Sequence, residues 1–135
     1  MTKKDSIEKA CIDTLHAWLA ALHKNGIRLM PGTDAGGSNG YTNELKNYVK
    51  AGASNAEVLR MATIYPAEYC GWGKELGTVT AGKIADLIIL GANPLENLNT
   101  LDNVQMVVSN GKLFYTKDLR SVSSAAGGNE ALHVH

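Results

Sequence analysis

The chain has 135 residues, of which 44% are hydrophobic, 19% charged and 6% aromatic, and its 13 Lys and Arg balance 13 Asp and Glu for a formal net charge of zero. With no basic stripe and no run of five like charges, the composition excludes a nucleic-acid binder of the usual kind and a charged interaction tail. Its longest apolar run, Ala85 to Leu90, is interrupted by Asp86 and is far too short to span a bilayer, so no membrane partner is expected.

Two cysteines, Cys11 and Cys70, make neither a disulfide framework nor a zinc-finger spacing. They read as buried free thiols in a reducing compartment. The opening residues Met1-Thr2-Lys3-Lys4-Asp5 lack the apolar core of a signal peptide, and a cytoplasmic protein is expected.

Residues 7–25 predict one amphipathic helix, with Ile7, Ala10, Cys11, Thr14, Leu15, Trp18, Leu19 and Leu22 spaced by three and four. His16 and His23 fall off that stripe and are expected to face solvent. Asn25-Gly26 closes the helix, because both residues tolerate a left-handed cap. Ile27–Met30 then predicts a short strand, followed by the glycine-dense loop 31–40.

A second helix is expected from Thr42 to Ala51, with Leu45, Tyr48 and Val49 inward and Gly52 as its stop. Ser54-Asn55-Ala56-Glu57 is a capping box for a third helix, and Pro66 suits the first turn of a fourth that ends near Gly71. After Gly73 the character changes to β. Leu76 to Leu90 carries β-formers around a turn at Ala81-Gly82-Lys83, and Val104–Val108 and Lys112–Tyr115 flank Asn110-Gly111, the strongest short-range hairpin signal. The hairpin is expected to pair with a strand around Ile84–Leu90. This gives an α/β chain divided as 1–73, 74–116 and 117–135, the last a small, polar segment expected to be a disordered tail.

Chemistry-bearing motifs are few. Asp34, in Pro31-Gly32-Thr33-Asp34-Ala35-Gly36-Gly37, follows a predicted strand, where α/β folds keep their active sites, although an Asp before Ala-Gly-Gly also suits a simple turn. His16 and His23 are seven residues apart on one helix, too far to share a metal. His133 and His135 could touch one ion but lie at the end of the expected tail. Lys83 reads as a solvated charge on a turn, and Asp86 as a carboxylate accepting backbone hydrogen bonds inside an apolar strand.

Several segments, in order, resemble one family: Gly32-Thr33-Asp34-Ala35-Gly36, Asn43-Glu44-Leu45, Val49 to Ser54, Ala56 to Thr63, Leu76 to Leu90 and Asn93-Pro94-Leu95-Glu96. Together they are similar to the C-terminal part of the metal-dependent amidohydrolases, in the imidazolonepropionase-like and prolidase-like branch. The likeness runs from Trp18 to Phe114, roughly seven-tenths of the chain. It implies the end of a (β/α)8 barrel followed by strands of a small flanking β-sandwich. A complete barrel of this kind takes roughly 250 residues, so no closed barrel is expected here.

On this resemblance, residues 7–25 correspond to the seventh barrel helix, Ile27–Met30 to the eighth strand, and 76–115 to the C-terminal share of the sandwich. Asp34 takes the place of the catalytic aspartate, which binds a divalent metal, typically zinc, and serves as general base in hydrolysis of a C–N bond. Ser38, Asn39 and Tyr41 fall in the loop that touches the small-molecule substrate. The family's His-x-His, its fourth-strand carboxylate or modified lysine and its other histidines have no counterpart here, and Thr42 stands where many relatives have histidine. The resemblance therefore implies an amidohydrolase fragment that is inactive alone. The alternatives are a non-catalytic binding or assembly module from a truncated gene, or one half of a split enzyme. Uncovered barrel faces would favour self-association or a complementary barrel chain.

Overall fold

The computed structural model describes residues 3–34 and 40–118. Ser38, Asn39, His133 and His135, and the expected tail beyond Asp118, lie outside the described residues. Four helices come first: α1 (Lys3–Lys24), α2 (Gly40–Lys50), α3 (Asn55–Met61) and α4 (Ile64–Tyr69). An antiparallel sheet follows, with strands β1 (Leu87–Leu90), β2 (Val104–Ser109) and β3 (Lys112–Tyr115) in the order β1-β2-β3, and a 3-10 turn at Leu98–Asp102 joining β1 to β2. No described helix is long and apolar enough to cross a membrane.

Local chemistry sets the helix boundaries. Ser54 caps α3 by accepting a hydrogen bond from the Glu57 amide at 3.2 Å, while the Glu57 carboxylate accepts from the Tyr65 hydroxyl at 2.7 Å and so ties α3 to α4. Pro66 sits in the first turn of α4, where its missing N–H costs nothing. The hairpin turn places Asn110 at φ 47° and Gly111 at φ 77°, the two left-handed residues of a turn whose twist matches the flanking strands. Its register pairs Ser109 with Lys112 and Val107 with Phe114, and Leu87 of β1 faces Val108 of β2.

The core gathers Leu45 and Tyr48 of α2, Ala53 between α2 and α3, Val58 and Met61 of α3, and Leu98 of the 3-10 turn, with Leu19 and Leu29 packed against it from outside. Leu98 thus joins the β half to the helices, and the Lys46–Asp102 ion pair at 2.5 Å reinforces the same junction. Gly77 makes a second contact. At φ 86° its backbone passes so close to α4 that an added Cβ would lie 2.8 Å from Ile64 Cα and 2.9 Å from Ala67 Cβ.

Several expectations are corrected. Ile27–Met30 forms no strand, because a strand needs a neighbour to bond and the segment has none among the described residues. Residues 76–86 are likewise irregular, and only 87–90 pairs. The apolar stripe of α1 does not pack inward: Trp18 is 66% exposed, and Ile7, Leu15 and Leu22 are exposed with it. Of the stripe, Leu19 at its edge is half-buried and packs on the core; the other half-buried residues of α1, His16, Ala20 and His23, lie on the far side of the helix, so the two histidines do not face solvent as expected. α1 meets this chain through α2, and nothing described covers its apolar side. Cys11 and Cys70 are free but exposed rather than buried.

Met61→Ala is expected to cost about 2–5 kcal/mol, since it empties a fully enclosed site, whereas Trp18→Ala changes stability by less than about 0.5 kcal/mol. Urea denaturation of both variants measures this, and a comparable loss at Trp18 would contradict the packing.

Candidate functional site

Asp34 closes the segment that runs from the core to the loop. Leu29 packs on the core, and the next residues are pinned in turn from α2. The Tyr48 hydroxyl lies 3.3 Å from the Met30 carbonyl oxygen and 3.4 Å from Glu44 Oε1, and donates to one of them at a time. The Gly32 amide donates to Glu44 Oε1 at 2.9 Å, and the Thr33 hydroxyl donates to Glu44 Oε2. The Asp34 side chain, next along, is exposed.

Tyr41, Glu44 and Tyr48 sit at helical spacings of three and four and so share one face of α2. Burial, and then the charge of Glu44, raise the Tyr41 phenol above its ordinary value of 10.0. Burial, followed by the Glu44 charge and hydrogen bond and by Tyr41, raises Tyr48 as well. Thr42 turns elsewhere. Its hydroxyl, after Lys46, helps hold the Asp102 carboxyl below the usual carboxylate value. The structure thus gathers Tyr41 and the Gly32–Thr33 step around Glu44, immediately before Asp34. Glu44 was read from the sequence only as part of a motif; the signal for its role is a carboxylate between two tyrosines on the inward side of a helix.

The other candidates are structural. Lys83 is half-buried rather than solvated, and its ammonium donates to the carbonyls of Gly73 at 2.6 Å and Leu76 at 3.0 Å. Asp86 accepts from the Asn110 amide at 2.6 Å, as the sequence suggested. Arg28 pairs with Glu68 and lies 4.0 Å over the Tyr65 ring. A cleft of about 580 Å³ opens between Thr63, Val79 and the sheet, with Asp86 and Leu87 in its wall, and none of Asp34, Tyr41 and Glu44 lines it.

A zinc site takes three or four protein ligands, and the described residues hold no group of three or more His, Cys, Asp or Glu able to share an ion. His16 and His23 stand on α1 away from such a group, and the buried His16 Nε2 has no hydrogen-bond partner among the described residues. The described residues therefore do not fit a complete metal centre.

The sequence matches the amidohydrolase family over residues 6–114. It is 41% identical to an imidazolonepropionase of Thermoplasma acidophilum, in a match covering 45% of this chain and 16% of that protein. It is 31% identical to a 5-methylthioadenosine/S-adenosylhomocysteine deaminase of Thermoanaerobacter pseudethanolicus, covering 67% of this chain and 26% of that one. Among solved structures, a Xaa-Pro dipeptidase with bound methionine in its active site superposes with a TM-score of 0.68 at 30% identity, over 74% of this chain and 25% of that one. The chain thus spans about a quarter or less of the length of these relatives.

The raised phenols have a consequence at alkaline pH. A tyrosine whose folded value lies above its unfolded one stabilises the fold fully below about pH 10, and that contribution is lost as pH rises through the folded value. Urea denaturation at about pH 8 and about pH 11 is expected to show a smaller alkaline loss in Tyr48→Phe than in the wild type. An equal loss would contradict the placement of Tyr48 beside Glu44.

Proposed function

The chain belongs to the amidohydrolase family, and from that premise we propose that it is the C-terminal portion of a hydrolase acting on a C–N bond of a small molecule. In this reading residues 1–73 supply the last helix and following helices of a (β/α)8 barrel together with residues 27–30, which become a strand only when the rest of the barrel pairs with them, and residues 74–116 supply strands of a flanking sandwich. The observation that carries the reading is Asp34, exposed at the end of a segment whose Met30, Gly32 and Thr33 bond to α2, with no group of three or more metal-ligating side chains among the described residues.

Asp34 is the carboxylate that takes the proton of the attacking water and returns it to the leaving nitrogen. It is also a ligand that this chain contributes to the divalent metal, zinc for choice, of the complete site. Ser38, Asn39 and Tyr41 are the substrate contacts, and the position of Tyr41 beside Glu44, with part of the residue open to solvent, supports the last of these. We take the protein to be cytoplasmic, with a small-molecule substrate and with neither nucleic acid nor membrane as partner.

Because the described residues hold no complete ligand set, hydrolysis in this reading belongs to the whole barrel, and this chain alone is inactive. The exposed stripe of α1 favours a second element of the reading, in which the missing faces are supplied by a complementary chain, as in a split enzyme, or by another copy in a non-catalytic assembly.

Purified chain with zinc or manganese, assayed against dipeptides and cyclic amides, is expected to show no turnover. Turnover that Asp34→Ala abolishes would show that these residues suffice for catalysis and would overturn the claim of inactivity.

A further inference from the structure

We propose that Glu44 is the positioning residue of the Asp34 site: its carboxylate fixes the Gly32–Thr33 step and thereby sets where Asp34 is presented. The proposal rests on the reading of Asp34 as the site carboxylate.

An ionised carboxylate only accepts hydrogen bonds, and both oxygens of Glu44 are used on the loop. Oε1 takes the Gly32 amide at 2.9 Å and Oε2 takes the Thr33 hydroxyl. These bonds span twelve and eleven residues of sequence. A glutamate on a helix surface ordinarily pairs with a cation one turn away, so bonds of this reach mark a different use.

The base of the side chain is fixed as well. Its neighbour Leu45 is 2% exposed and Tyr48, one turn on, is 8% exposed, so the backbone of α2 at Glu44 is held by the core. The Tyr48 hydroxyl, within 3.4 Å of Glu44 Oε1, limits the carboxylate further. The loop segment is consequently tied at Leu29 by packing, at Met30 by Tyr48, and at Gly32 and Thr33 by Glu44. Asp34 follows the last tie directly. Glycine at 32 leaves its amide accessible on the loop, and threonine at 33 provides the second donor. A carboxylate presented by a pinned backbone needs less ordering when a reacting group arrives than one on a free loop.

The replacement chemistry is distinctive. Glutamine keeps one acceptor oxygen for the Gly32 amide, and the Thr33 hydroxyl can rotate to accept from its amide nitrogen, so Glu44→Gln retains part of the link. Glu44→Ala retains none.

Amide hydrogen exchange of the full 135-residue chain, read residue by residue by NMR, tests the proposal. In Glu44→Ala the Gly32 amide is expected to exchange about tenfold faster or more, with Val58 and Met61 changed less than about twofold, and Glu44→Gln is expected to recover part of the difference. Unchanged exchange at Gly32, or an equal acceleration at Val58 and Met61, would overturn it. Should Glu44→Ala fail to fold, Thr33→Val takes its place: a shift of the Glu44 carboxyl carbon resonance supports the link, and no shift overturns it. The Asp34 reading is decided separately, in the hydrolysis assay with zinc or manganese: no turnover, or turnover that Asp34→Ala abolishes, is compatible with it, and turnover that Asp34→Ala leaves unchanged would overturn it, whichever way the exchange result falls.

Discussion

Leu45 and Tyr48 turn one face of α2 into the core, and Glu44, beside Leu45 on that same face, reaches across to the backbone that carries Asp34. Packing and presentation thus depend on a single helix. Leu45 and Tyr48 meet Val58 and Met61 of α3, while Leu98 brings the turn between β1 and β2 onto the same cluster. The Lys46–Asp102 pair lies along that junction. A shift of α2 would move the Gly32–Thr33 step and the core together, because that one helix holds both.

What surrounds this junction is open. The apolar stripe of α1, the unpaired segment at Ile27–Met30 and the sheet residues Ile88, Leu113 and Phe114 all expose hydrophobic area. A helix that shows its apolar side to solvent and its histidines to a neighbour leaves open the face that the proposed complementary chain or second copy would cover. Asp34 likewise belongs to no group of three or more metal-ligating side chains among the described residues. Both features agree with a chain that covers about a quarter or less of the relatives it matches.

The legible parts of the sequence were those decided locally. Asn110-Gly111 dictated its own turn and, through it, the register of β2 and β3. Ser54 and Glu57 placed the start of α3, and Pro66 that of α4. The misread parts were those decided by neighbours. Ile27–Met30 has strand composition but no strand beside it, and the stripe of α1 has helical periodicity but no apolar surface to meet. Periodicity shows which face is apolar and not what stands opposite. Lys83 looked like a turn charge because carbonyls ten and seven residues back in the chain left no sequence mark. Within the site, Asp34 stood out by motif and position, whereas Glu44 looked like an ordinary helix glutamate, since only the fold brings Gly32 and Thr33 to it.

The central claim is that the exposed faces of this chain belong to a larger assembly. Light scattering on the size-fractionated chain tests it most directly. The account predicts association beyond the monomer, with Leu15→Lys and Trp18→Lys on the exposed stripe of α1 shifting the chain toward monomer while its core stays folded. A wild-type chain that runs as a stable monomer and melts in one cooperative transition would contradict it.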